Sequence, residues 1–279
     1  MLSLPVLNHR QYYCLRRSAH GPRLSEVVLQ FSSNIRNFEL YVDGRTDVTS
    51  GNIVSHCICQ WRDLQTVIYP LIPLDMDALV HLSHMPALTR LDFILNAILT
   101  AFMPSHFPDL QTMTLRSESF QPIPSFLSQT RLPVVTILVI LIDNCPSKSE
   151  LSSFFAGVQI SGAGNFLEDL RLSQFHLRNV PRSEALLLSL EVLRTCVGFS
   201  NLRRIRLDIG WNVGLTDNDL LTLTSAWPHL GEFIINLRWG WNTHAGITLN
   251  GLVQLLRSCR SLRHIALAID TQGYTEPSQ

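Results

Sequence analysis

The stretch Met85–Asn96, which reads Met-Pro-Ala-Leu-Thr-Arg-Leu-Asp-Phe-Ile-Leu-Asn, decides the fold of this chain. Within it, Leu88, Leu91 and Phe93 follow the spacing L-x-x-L-x-L. The last two positions are two residues apart, so on an extended strand their side chains point to one face and their neighbours point to the other. A single strand cannot bury such an apolar face. It needs copies of itself alongside and helices behind.

Copies of this pattern occur at nine places in order along the chain. Their first positions are between 22 residues (Leu88 to Leu110) and 35 residues (Leu167 to Leu202) apart. This spacing is typical of leucine-rich repeats, although several units are longer than usual. The nine hexads are Ile35-Phe38-Leu40, Leu64-Val67-Tyr69, Leu88-Leu91-Phe93, Leu110-Met113-Leu115, Val135-Leu138-Ile140, Leu167-Leu170-Leu172, Leu202-Ile205-Leu207, Leu230-Phe233-Ile235 and Leu262-Ile265-Leu267.

The pattern predicts an α/β leucine-rich-repeat solenoid, or horseshoe, of about nine irregular units, with a parallel β-sheet on the concave face and helices on the convex face. The repeats occupy residues 35–270. We interpret residues 1–34 as an N-terminal cap or a truncated segment, and residues 271–279 as a frayed tail. The asparagine that usually follows the hexad occurs only as Asn96. The asparagine ladder that stabilises the turns of ordinary repeats is therefore predicted to be missing.

Helices are predicted between the strands from their N-terminal signals. Asp75, Thr216 and Thr248 stand where a short polar side chain can cap a first helical turn, and Ser147 opens a capping box. The longest helix is predicted over residues 183–198, with helically spaced apolar residues at Leu186, Leu187, Leu190, Leu193 and Val197.

Composition and charge argue against two kinds of partner. Charged residues make up 16% of the chain, and Lys plus Arg equals Asp plus Glu at 22 each, so no net field attracts a nucleic acid or an anionic membrane. The longest apolar run, residues 134–142, is far shorter than the roughly 20 residues of a membrane-spanning helix. Residues 1–17 lack a secretory signal, which predicts a cytoplasmic or nuclear location.

No catalytic motif is present. The chain lacks a Gly-x-x-x-x-Gly-Lys loop, a Gly-x-Ser-x-Gly elbow and a His-Glu-x-x-His pair. Two acid pairs, Asp75 with Asp77 and Asp217 with Asp219, are of the kind that binds metals. Both stand where helices begin, so we interpret them as caps. We expect no enzyme activity and no cofactor.

The six cysteines form no regular framework and most lie in apolar runs, so we interpret them as reduced, buried thiols. The alternative is a metal site at His56, Cys57 and Cys59. A second ligand pair at metal-site spacing does not follow, so no metal is expected.

Four segments of the last three units have the most specific sequence motifs. They are Leu-Thr-Asp-Asn-Asp-Leu-Leu-Thr-Leu at 215–223, Ala-Trp-Pro-His-Leu-Gly-Glu-Phe at 226–233, Ile-Thr-Leu-Asn-Gly-Leu-Val at 247–253 and Ser-Cys-Arg-Ser-Leu-Arg-His-Ile at 258–265. They resemble the leucine-rich domain of fungal F-box proteins, particularly mushroom-type ones, over about residues 35–270. The resemblance implies a substrate receptor of an SCF-type ubiquitin ligase, in which an N-terminal F-box binds the adaptor. Leu4-Pro5 starts as an F-box does, but the helices that should follow are not visible. The adaptor is therefore expected as a partner only if a longer gene model carries them.

The register also predicts which side chains lie on the concave face. Among them, Asp169 falls beside Arg204, and Arg204 falls beside Glu232, with Arg171 and Arg206 one position further along their strands. This charged row has two interpretations. It is either a cross-strand ladder that stabilises the sheet, or a patch whose arginines bind an acidic segment of a partner, because guanidinium groups pair bidentately with carboxylates.

Tryptophans recur one unit apart in the triplets Gly-Trp-Asn at 210–212 and 240–242, which contain Trp211 and Trp241, and Trp239 precedes the second triplet. Tryptophan is enriched in interface hot spots, so these rim residues either anchor a partner or fold over the edge of the core as lids. The sequence thus predicts a noncatalytic protein-interaction module that binds a partner protein through its concave face and rim loops. The alternative is the substrate-recognition subunit of an SCF-type E3 ubiquitin ligase.

Overall fold

The structure, a computed structural model, describes residues 35–40, 48–70, 72–96, 105–175, 187–238 and 245–271. The predicted cap at residues 1–34, and the predicted tail beyond Thr271, lie outside these ranges.

Thirteen strands fall within the described ranges: β1 (Asn37–Glu39), β2 (Thr66–Tyr69), β3 (Arg90–Ile94), β4 (Ser105–His106), β5 (Thr112–Ser117), β6 (Thr130–Arg131), β7 (Ile137–Ile142), β8 (Asp169–Gln174), β9 (Leu187–Leu188), β10 (Arg204–Asp208), β11 (Asn212–Val213), β12 (Glu232–Ile235) and β13 (His264–Ala266). Nine of them form one sheet in the order β1-β2-β3-β5-β7-β8-β10-β12-β13. The short pairs β4 with β6 and β9 with β11 stand apart from it.

Every neighbouring pair in the nine-stranded sheet is parallel, and the predicted hexads are in register. The second hexad positions lie side by side from Phe38 through Leu138 to Ile265. The prediction of nine parallel strands is therefore confirmed. A shift of one residue in any strand would turn its apolar side chains to the opposite face, which is why the pattern fixes the pairing.

Seven α-helices occur in the described part of the chain: α1 (Val48–Ile58), α2 (Met76–Ser83), α3 (Pro122–Gln129), α4 (Lys148–Ile160), α5 (Leu190–Leu193), α6 (Asp217–Ala226) and α7 (Leu249–Ser258). The predicted caps are in place. Asp75 accepts a hydrogen bond from the backbone N–H of Ala78, and Thr248 caps α7. Capping boxes open α4 at Ser147 and α6 at Thr216.

The long helix predicted over residues 183–198 is confirmed only in part: residues 190–198 are helical, but residues 187 and 188 form a strand. Leu187 and Leu188 form strand β9, which pairs with β11, and the short α5 then leads into a 3₁₀ helix at Arg194–Gly198. A run of leucines satisfies both a helical and an extended pattern. Here the pairing with β11 ties the backbone of residues 187 and 188 to another strand, so a helix begins only after Ser189.

The core lies between the sheet and the helices. Inward-facing strand residues and helix residues form one buried apolar cluster. The ring of Phe93 on β3 meets Phe126 of α3 edge-on, with 5.9 Å between centroids, and Trp227, which follows α6, contacts Phe233 on β12 at 6.2 Å. The described helices thus pack against the inward side of the sheet and leave its other side for polar and charged side chains.

Two amide side chains stabilise the turn after β10. The backbone N–H of Gly210 donates to Gln174 Oε1 at 3.2 Å, and that of Ile209 donates to Asn236 Oδ1 at 3.1 Å. Asn236 Nδ2 also donates to the carbonyl of Trp211 at 2.6 Å. In these units, Gln174 and Asn236 take the role of the asparagines that the sequence lacks at the usual position.

Candidate functional site

The front face of the sheet, meaning the side turned away from the helices, carries the side chains that alternate with the buried hexad positions. Backbone pairing places Arg204 opposite Asp169 on one neighbouring strand and opposite Glu232 on the other. Arg206 lies opposite Arg171. The neighbours predicted for the charged row are those observed in the sheet.

Asp169 is the centre of this row. Its carboxylate is buried and accepts hydrogen bonds from Nε and Nη2 of Arg171, at 2.9 and 2.8 Å. Arg204 Nε lies 2.8 Å from the same carboxylate. The hydrogen bond to Asp169 raises the pKa of Arg171. Two guanidinium groups therefore share one carboxylate, which leaves the cluster with one excess positive charge.

Arg206 forms a diagonal ion pair. Its Nη2 donates to Glu232 Oε1 at 2.9 Å, although the residue opposite Arg206 in register is Ile234. Arg206 Nε is buried and has no hydrogen-bond partner among the described residues. The charged row thus behaves as a cross-strand ladder, in which each described acid is tied to at least one arginine.

Asp169, one of the candidate partner-binding residues, has a side chain that is only 1% exposed. The two arginines that it binds cover it. Its role is to hold the guanidinium groups of Arg171 and Arg204 in place while they remain partly open to solvent.

Two further arginine–acid pairs extend the same arrangement and were missed in the sequence. Arg116 Nε and Nη2 donate to the carboxylate of Asp92 at 2.9 and 3.0 Å. Arg238 donates from its backbone N–H and its side chain to Asp208, which follows the charged row along β10. Arg116 lies one residue after a hexad, where the alternation still points a side chain to the front face. The alternation was therefore a signal that could have identified it.

An apolar stripe separates these charged groups. It consists of Ile137, Val139 and Leu141, the half-buried outward residues of β7. Leu141 lies opposite Arg116 on β5, and Val139 lies opposite Arg171 on β8. The front face therefore presents an aliphatic strip with a guanidinium group on either side. It offers hydrogen-bond donors beside apolar area.

Trp211 does not form a rim anchor. The side chain is fully buried, and its indole N–H donates to the carbonyl of Pro146 at 3.0 Å. Of the two interpretations given for Trp211, its burial favours a side chain folded over the edge of the core, because Ile209, Trp211 and Val213 alternate inward as on a strand. The other two predicted anchors, Trp239 and Trp241, lie outside the described residues.

The predicted thiols and acid pairs serve structural roles. The five described cysteines are free, and burial raises the pKa of each, to about 11 for Cys145. Asp75 caps α2 as predicted, and Asp219 completes the capping box of α6. Asp217 instead joins two units, since it accepts hydrogen bonds from the backbone N–H and the hydroxyl of Thr248 at 2.7 and 2.6 Å.

Within the described ranges, no group of three or more His, Cys, Asp or Glu side chains is arranged to hold a metal ion. None of the described helices combines the length and the apolar character needed to cross a bilayer.

The chain matches no protein-family model and no curated protein. Among solved structures, it is similar to the crystal structure of a protein from Bacteroides fragilis, with 12% sequence identity and a TM-score of 0.42 over 78% of this chain and 70% of that one. A likeness this distant carries no argument about function.

Proposed function

We propose that the chain is a leucine-rich-repeat solenoid of horseshoe form, with the sheet on its concave face, and that it acts as a noncatalytic module binding a partner protein through the front face. The observation that carries the proposal is the apolar stripe between Arg116 on one side and Arg171 with Arg204 on the other, on a sheet face that no described helix covers. Parallel sheets are ordinarily covered on both faces. An open face of this kind is suited to a macromolecular partner.

The chemistry of the front face favours a partner segment with both aliphatic and acidic side chains. Arg171 and Arg204 are held over Asp169, yet their side chains remain 39% and 46% exposed. A guanidinium group carries five N–H donors, and the contacts to Asp169 use two on Arg171 and one on Arg204. The remaining donors can pair with carboxylates while aliphatic side chains of the partner cover Val139 and Leu141.

Affinity capture with matched variants tests the proposal. Bait chains would carry Arg204→Glu with Arg206→Glu, or Val139→Asp, and the control would carry Arg194→Glu in the exposed 3₁₀ helix away from the front face. We expect a partner that the unmodified chain and the control retain, and that both front-face variants lose. Equal recovery with all baits would show that the front face is not the binding site.

A narrower function follows from the resemblance of residues 215–265 to fungal F-box proteins. In this alternative, the module selects a protein for ubiquitination in the cytoplasm or nucleus, as part of an SCF-type ligase. This alternative is supported only by the amino-acid sequence of those segments. Co-purification with the SCF adaptor, tried with this chain and with any longer gene product, tests it. Failure of both to bind the adaptor would remove the ligase function and leave the binding module untouched.

A further inference from the structure

The ninth unit of the sheet is open where the other eight are closed. All hexad side chains of the first eight units are at most 1% exposed. In the ninth unit, Ile265 is 39% exposed, and Leu262 and Leu267 are only partly buried. Ile265 occupies the same row as Phe233 and Ile205, which are completely buried. Among the described strands, β13 has a neighbour on one side only.

The helix of this unit shows the same opening. On α7, Val253 and Leu256 are 43% and 48% exposed, and Leu252 is only partly buried. These residues are spaced three and four apart, so they share one helical face. Together with Ile265 they are the exposed or partly exposed aliphatic residues of the helix and second strand position of the ninth unit, and we term them the end surface.

The edge of β13 that faces away from β12 also has backbone groups that can form hydrogen bonds with another strand. Among the described strands, β13 pairs only with β12. His264 N–H donates to the carbonyl of Gly231 on the β12 side. In a parallel sheet, each residue points its N–H and its C=O to the same neighbouring strand, and the next residue points both to the strand on the other side. His264 bonds towards β12, so the N–H and C=O of Ile265 point away from it. An unpaired edge of this kind accepts another strand.

The charges around the end surface restrict what can cover it. Arg257, Arg260 and Arg263 are exposed and form no ion pair among the described residues, whereas residues 245–271 contain a single acid, Asp270. A second copy of the chain would bring these arginines against their own equivalents. An acidic segment is complementary to them.

We propose that the end surface binds an extended acidic segment of a partner protein, which adds a strand to the free edge of β13. Aliphatic side chains of the segment pack on Ile265 and Leu256, and its carboxylates pair with Arg260 and Arg263. This site is separate from the front face, and it does not depend on the function proposed above.

Fluorescence anisotropy with two labelled peptides tests the proposal. Each is about eight residues long, of alternating leucine and glutamate or of alternating leucine and lysine. We expect the full chain to bind the acidic peptide at least about tenfold more tightly than the basic one. Arg260→Glu with Arg263→Glu should reverse this preference, whereas Arg62→Glu with Arg131→Glu, the same charge change at exposed sites elsewhere, should not.

Hydrogen exchange places the peptide on the molecule. Binding should slow exchange of residues 262–268, and Leu256→Asp should abolish this protection. The proposal is overturned if the acidic peptide does not bind, or if reversing the two arginines leaves the preference unchanged. It is also overturned by a dimer in sedimentation that Leu256→Asp dissociates, since a second copy then occupies the surface. Binding that occurs only after removal of residues 272–279 would make that segment the occupant instead.

Discussion

Replacing Asp169 by alanine should destabilise the sheet by about 1–3 kcal/mol. At 2.8 Å, two unit charges attract by roughly 6 kcal/mol at an effective dielectric constant of about 20, and by about 1.5 kcal/mol in bulk water. The two arginine side chains on Asp169 are 39% and 46% exposed, so the attraction between the charges lies nearer the value for bulk water. Burying the carboxylate offsets much of the attraction.

The change would be measured by urea unfolding followed by far-ultraviolet circular dichroism, with Asp109→Ala at an exposed turn as the control. A double-mutant cycle with Arg204→Ala isolates the contribution of one pair, which should be about 0.5–2 kcal/mol. If Asp169→Ala changes stability no more than Asp109→Ala and the coupling energy is zero, the carboxylate does not hold the two arginines, and the ladder described for the front face is wrong.

Three further predictions concern the packing and the thiols. Gly157→Leu should lower the melting temperature well below that of Gly157→Ala and reduce the free energy of unfolding by about 1–3 kcal/mol. The reason is that a Cβ added at Gly157 already lies 3.2 Å from Leu127 Cβ and from the Pro124 carbonyl oxygen. Equal melting temperatures would contradict this close approach of α3 and α4. Asp217→Ala should cost about 1–2 kcal/mol in urea unfolding, since the N–H and hydroxyl of Thr248 lose their acceptor, whereas Asn218→Ala at the exposed neighbouring position should have little effect. Cys145 should react slowly with iodoacetamide at neutral pH, because burial raises the thiol pKa and only the thiolate reacts. The reaction rate, followed by mass spectrometry, should keep rising towards pH about 11. A rate that levels off near pH 8 would show an accessible thiol.

The strands could be predicted because the hexad spacing carries two constraints at once. Leu91 and Phe93 must face the core together, and Arg90 and Asp92 must then face away, which leaves one register for each strand. The same constraint predicts that Arg204 lies beside both Asp169 and Glu232, as the sheet shows.

The errors arose where local pattern and long-range contact compete. Leu187 and Leu188 fit a helix as well as a strand, and they form a strand because they pair with β11, which is distant in sequence. The position of Trp211 after a strand suggests a rim loop, but its two-residue alternation with Ile209 and Val213 indicates an inward direction. The depth of Asp169 beneath its two arginines depends on side-chain conformations, which no spacing rule specifies.

The burial of the tryptophans gives the protein internal reporters. Trp61, Trp211 and Trp227 are almost completely shielded from water; Trp61 lies in the first unit, and the other two lie in the seventh. Their emission should therefore shift to longer wavelength when the surrounding unit opens. Because neighbouring units of a repeat stack contribute separately to its stability, chains that retain one of these indoles would reveal whether melting starts at one end and spreads, or takes the whole sheet at once.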